Sequence, residues 1–324
     1  MQRLTAILLE KWWLTVLLIV GFYFVPYLSW LSIILAALFT LAHDLRISWI
    51  ILVALIAPNI VTNALDKHAV SWLIPANLAF VWFAAWILRR FQNWSDVFNM
   101  AIAMIIVLIP FIYLLHPDIQ TTWFSFWQWL LNITSVSITQ VNSQLSAAGV
   151  HMPIWNWWLA AVDYLKLVHA DTFLPKISTG LLTIGYILGN LVNLGIARAW
   201  YLKYQTDKTM AVELRDIKLH IGATLALALV LVCQNDWLPY RWDVLCALLV
   251  LFFLAGLSLA HWLANWRGKA WIWLILLYLM LTIFPVTMSL FLVVLAVVDS
   301  IVNVRKRLMK EVIHDGSHPA RKNS

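Results

Sequence analysis

The chain alternates long apolar runs with short polar interruptions. The runs occupy about 12–43, 47–64, 70–88, 97–116, 177–200, 219–235, 242–264 and 270–303. Most match the ~20 residues that a helix needs to cross a hydrocarbon core of ~30 Å. Two do not. As straight helices, 12–43 and 270–303 would reach about 48–51 Å at 1.5 Å per residue. Each has a proline near its middle, Pro26 and Pro285. Proline removes a backbone donor and breaks or kinks a helix. Each long run therefore reads as a hairpin of two short spans or as one kinked helix.

Charge chooses between them. With the N-terminus inside and both long runs counted as hairpins, only Lys67, Lys166, Lys176 and Arg241 of the 22 Lys and Arg fall outside. Treating either run as a single span inverts part of the chain and spoils that bias. The positive-inside rule then predicts an all-α polytopic transmembrane helical bundle of about ten crossings, four of them short, with both termini cytoplasmic. Arg3 and Lys11 precede the first run, and no small-residue cleavage site follows it. That pattern predicts an uncleaved first span. The chain divides into N-terminal transmembrane helices (1–116), an outer-face Trp-rich region (117–176), C-terminal transmembrane helices (177–304) and a basic cytoplasmic tail (305–324).

Composition supports the class and narrows the partners. Residues are 63% hydrophobic and 11% charged, whereas an ordinary soluble domain is about a quarter charged. A net charge of +7 reads as the positive-inside bias, so nucleic acid is not an expected partner. Most of the 21 Trp lie near run ends, as in an aromatic belt at the bilayer surface. Region 117–176 holds Trp123, Trp127, Trp129, Trp155, Trp157 and Trp158 around a polar stretch. It predicts two interfacial helices joined near Gly149. Asp163 and Lys166 have helical spacing, and His169 follows. They form a surface ion pair or belong to an outward lid over a solute.

The stretch Ile177–Tyr204 predicts the central packing helix. Gly185 and Gly189 make a GxxxG pair, which admits a neighbouring backbone closely. Asn190 and Asn193 share one face. Each amide needs a partner at membrane depth, either in a neighbouring helix or in a solute cavity. Arg198 ends the span. The link 201–218 predicts a short helix over 211–218 behind Thr209. Its Glu213 and Arg215, with Arg198, offer a docking surface or a solvated linker. Gly256, Ala260 and Ala264 form a second small-residue stripe for a partner. Arg241 and Asp243 flank Trp242 at an outer end, as a helix-end cap or interfacial ion pair. Cys233 and Cys246 show no zinc or disulfide spacing. The three Glu, Glu10, Glu213 and Glu311, lie at or beyond span ends. No HExxH, P-loop or GxSxG occurs, so no enzyme activity, metal or cofactor is expected.

Two segments carry a resemblance, ARAWYLKYQTDKTMAVELRDIKL at 197–219 and YLMLTIFPVTMSLFLVVLAVVDSIVNVRKR at 278–307. They resemble the YybS-like family of uncharacterised bacterial inner-membrane proteins. Asn303 stands where that pattern would place an acidic residue. The resemblance implies a multi-pass inner-membrane protein similar to the substrate-binding S components of energy-coupling-factor transporters. Those bind a small molecule and work with ATPase and coupling subunits. The expected partners are the lipid bilayer, such subunits and a small-molecule solute. The alternative expectation is a scaffold for envelope or cell-shape proteins.

Overall fold

The computed structural model describes residues 10–25, 28–43, 48–53, 73–147, 160, 164, 170–205, 210–233, 238–266 and 270–314. Every regular element among them is a helix. In order these are α1 (Trp12–Phe24), α2 (Ser29–Ala42), α3 (Leu73–Phe91), α4 (Trp94–Leu115), α5 (Ile119–Ala147) and α6 (Ala170–Gln205). There follow α7 (Met210–Leu214), α8 (Ile221–Val232), α9 (Arg241–Trp266), α10 (Ala270–Ile283), α11 (Pro285–Val302) and α12 (Val304–His314). By length and composition α4, α6, α9 and α11 are long and apolar enough to cross a membrane, while α1, α2, α8 and α10 are shorter apolar helices.

Each long run is divided into two helices. Run 12–43 becomes α1 and α2, which pack on each other. The Ser32 hydroxyl donates to the Ile19 carbonyl across that pair. Run 270–303 becomes α10 and α11, separated by Phe284. Pro285 is the first residue of α11, where its missing N–H costs the helix no bond.

The short α2 is the most enclosed element. Every residue from Ser32 to Leu41 is buried, with Phe39 and Ala36 wholly so, and it packs on α1 and α3. A helix apolar all round belongs in a protein interior. At 1.5 Å per residue it is about 20 Å long, too short to span lipid unaided, and burial in protein removes that demand. The sequence points instead to 177–204 as the centre. That stretch lies within α6, which keeps one face exposed through Leu182, Gly185, Gly189, Val192 and Ile196.

The chain divides into two compact units. One comprises 1–103, 185–226 and 249–324, and the other 104–184 and 227–248. The first holds α1–α3, α7, α10–α12 and parts of α4, α6, α8 and α9. The second holds α5 and the remainder of those four helices. Two helices are expected over 117–176, and α5 (Ile119–Ala147) stands in the place of the first. Asp163, His169 and most of the second lie outside the described residues. The expected helix over 211–218 is α7, which stops at Leu214. A turn at Arg215–Asp216 follows, with no regular structure from Ile217 to His220.

Candidate functional site

The second unit gathers its polar side chains around Asp243. This residue sits in the first turn of α9, where the helix dipole favours an anion. It is wholly buried. One carboxylate oxygen accepts the Gly180 N–H at 2.6 Å. The other accepts the Tyr113 O–H at 2.5 Å. Gly180 is required by this contact, because a Cβ there would collide with the Asp243 backbone. Gln120, in the first turn of α5, donates to the Tyr113 hydroxyl at 3.1 Å and to the Pro239 carbonyl at 3.3 Å. One turn further on, the Trp123 indole N–H donates to the Thr179 hydroxyl at 3.1 Å. The Trp127 indole N–H donates to the Ser178 hydroxyl at 2.7 Å. The Trp-rich helix is thereby fastened to the opening turns of α6.

A recess of about 710 Å³ opens beside this network, lined by Val107, Pro110, Tyr113, Pro117, Gln120 and Tyr240 among others. The Tyr113 and Tyr240 rings stand 5.6 Å apart, inclined at 51°. A groove of about 570 Å³ runs along His116, Asp118, Thr122, Trp123 and Phe126. The recess presents the phenols of Tyr113 and Tyr240, the Phe111 ring and the Gln120 carboxamide. Asp243 stands behind Tyr113 with both oxygens engaged. Such a surface can hold a small solute by hydrogen bonding and ring contact.

Sequence reasoning reaches Asp243 only as a helix-end residue beside Arg241, and it does not single out Tyr113 or Gln120. The structure separates Arg241 from that pairing. Its guanidinium donates to the Leu231 carbonyl at 2.8 Å and lies 5.3 Å from the Trp242 ring centre. The available signal was an acidic residue at the start of an apolar run, which is a functional flag at membrane depth.

The asparagines on α6 differ from one another. Asn190 is buried. Its amide donates to the Asn77 side-chain carbonyl at 2.7 Å and to the Tyr186 carbonyl at 2.9 Å. It is thus an interhelical tie to α3. Asn193 is half-buried and stands apart from that pair. A Cβ at Gly185 or Gly189 would meet nothing within 4 Å. The glycines in closest backbone contact are Gly180 and Gly256.

In the first unit the link after α6 is turned inward. Arg198 and Glu213 form a two-pronged ion pair, at 3.0 and 2.8 Å. Arg198 also donates to the Gln92 side chain at 2.6 Å, and the Trp94 indole N–H donates to Glu213 at 3.2 Å. Gln92 adopts φ 52° between α3 and α4. Irregular backbone must find partners, and side chains of neighbouring helices supply them. The Ser95 hydroxyl accepts from the Lys218 N–H at 2.8 Å, and Asn99 accepts from the His220 N–H at 2.9 Å. Ser258 donates to the Leu214 carbonyl at 2.8 Å. Arg305 donates to the carbonyls of Arg215 and Ile217, both at 2.9 Å. Burial pushes the Arg305 pKa down from its ordinary value, and the Asp299 and Asp216 carboxylates push it back up. Gly256 packs on the Leu292 backbone of α11. Ala260 and Ala264 line an apolar groove of about 400 Å³ with Trp273, Met280 and Phe291. Of the docking candidates, Arg198, Glu213 and Gly256 are thus engaged by the chain's own helices, while Ala260 and Ala264 line an open groove.

Among the described residues no group of three or more His, Cys, Asp or Glu is placed to hold a metal ion. No protein-family model matches the chain, and no curated protein or solved structure matches it.

Proposed function

We propose that the chain is a multi-pass protein of the bacterial inner membrane that binds a small solute without transforming it. It would serve as a component of uptake, like the S components that its YybS-like segments resemble. The observation that supports this reading is the recess beside Tyr113, Gln120 and Tyr240. Its volume is in the range of small-molecule sites, ~300–1,000 Å³. Its polar groups are few and held by a buried network, which is the pattern of a preformed site. With about ten crossings and both termini cytoplasmic, the recess opens on the outer side, where Arg241 is one of few basic residues. The proposed site is built on the last turns of α4 and the first turn of α5.

The test is mass spectrometry and ligand-dependent melting of the purified protein in nanodiscs. One stoichiometric metabolite with saturable binding is expected. Gln120→Leu removes a donor from the recess and leaves Asp243 its partners. A lost hydrogen bond of about 1.4 kcal/mol weakens solute binding roughly tenfold. Asn190→Leu should lower stability and leave affinity unchanged. A protein that binds no solute and co-purifies with an envelope-assembly partner would overturn the uptake reading in favour of the scaffold.

A further inference from the structure

We propose that α12 is an in-plane membrane helix that binds the headgroups of anionic phospholipids, with Arg305 as its anchor to the bundle. This inference is independent of the solute site. Helix α11 is apolar and long enough to span, and it ends at Val302. Helix α12 begins at Val304, so it starts at the level where a span leaves the bilayer. The single residue between them is Asn303, with φ 56° and ψ 60°. A left-handed residue ends a helix and redirects the chain, and Asn tolerates that conformation better than most residues. The Asn303 N–H donates to the Asp299 carbonyl at 3.0 Å, and the Arg307 N–H donates to the Asn303 carbonyl at 3.2 Å. The junction is therefore a hydrogen-bonded corner with no intervening loop.

The cations of α12 divide into two kinds. Arg305 is 6% exposed and fully committed inward. It holds the carbonyls of Arg215 and Ile217, and its Nε lies 3.4 Å from the Asp299 carboxylate. That pins the first turn of α12 against the link. Lys306 and Arg307 are exposed, and no carboxylate forms an ion pair with either among the described residues. The helix sequence, VRKRLMKEVIH, carries Arg305, Lys306, Arg307 and Lys310 against a single acid, Glu311. Met309 is exposed beside them, and Leu308 is partly so. Exposed cations next to exposed apolar side chains, on a helix at the end of a span, match a surface that is half headgroup and half acyl chain. The charge selects anionic headgroups, since each Lys or Arg near such a surface strengthens attachment about fivefold.

The experiment uses the full chain in nanodiscs of phosphatidylcholine alone or mixed with phosphatidylglycerol. Backbone hydrogen exchange of 304–314 and phosphatidylglycerol retained in native mass spectrometry are the readouts. Phosphatidylglycerol should slow exchange across α12, and added salt should reverse the effect. The double variant Lys306→Gln/Arg307→Gln should retain at least tenfold less phosphatidylglycerol with an unchanged melting midpoint. Equal exchange in the two lipid mixtures would overturn the proposal. So would a phosphatidylglycerol effect that survives in the double variant.

Discussion

At the scale of single residues, the closest helix contacts rest on two glycines that look alike in sequence to several others. Gly180 admits the Asp243 backbone and Gly256 admits the Leu292 backbone, whereas Gly185 faces open space. Adding one methyl group therefore has opposite effects by position. Gly180→Ala forces α6 from α9 and should cost about 1–3 kcal/mol, as overpacking does. Gly185→Ala meets nothing and replaces a poor helix former, so it should gain up to about 1 kcal/mol. Melting midpoints of the two variants in one detergent test this, and a fall of equal size in both would sink the assignment. The sequence shows the GxxxG spacing at Gly185 and Gly189. It does not show which side of α6 faces a neighbour, because spacing fixes a face and only packing fills it.

At the scale of elements, the link between α6 and α8 is a strap drawn across its own helices. Its backbone donates to Ser95 and Asn99 and accepts from Ser258 and Arg305. The Arg198–Glu213 pair fixes its start, with side chains 4% and 20% exposed. Removing one partner of a buried pair leaves the other charge uncompensated. Glu213→Ala should therefore destabilise by about 3 kcal/mol. The apolar double variant Arg198→Met/Glu213→Leu should recover most of that loss, because it removes both desolvation penalties. A double-mutant cycle on melting stability gives the coupling directly, and strictly additive losses would show that the pair acts through something else. From the sequence, Glu213 and Arg215 read equally well as an outward docking surface, since alternating charge is compatible with either face. The inward use of Glu213 depends on Trp94 and Arg198, which are remote from it in sequence.

At the scale of the whole molecule, the proposed topology rests on the placing of Lys and Arg. It puts Lys67 outside and Lys203 inside. In a background with Cys233→Ser and Cys246→Ala, Lys67→Cys should react with an impermeant thiol reagent in right-side-out spheroplasts. Lys203→Cys should react only after permeabilisation. The reverse pattern would invert the orientation and move the Tyr113–Gln120 recess to the cytoplasmic side. The short α1 and α2 bear on the same question. They pack on each other, and α2 is buried over most of its length, so part of what hydropathy marks as span is interior.

That the described residues are helical, with apolar helices of membrane-crossing length, is legible in the sequence, because periodicity and run length are local properties. So is a break of run 270–303 at Pro285, from excess length together with proline, since proline alone does not end a helix here: Pro110 and Pro175 sit inside α4 and α6. Which polar groups meet follows from packing between helices. Asp243 finds Gly180 and Tyr113 from distant parts of the chain, and Asn190 finds Asn77. Arg198 is shared between Gln92 and Glu213. A buried polar group must find some partner, and that requirement is legible in a sequence. The partner's identity depends on which helix faces lie against one another, and no local pattern states that.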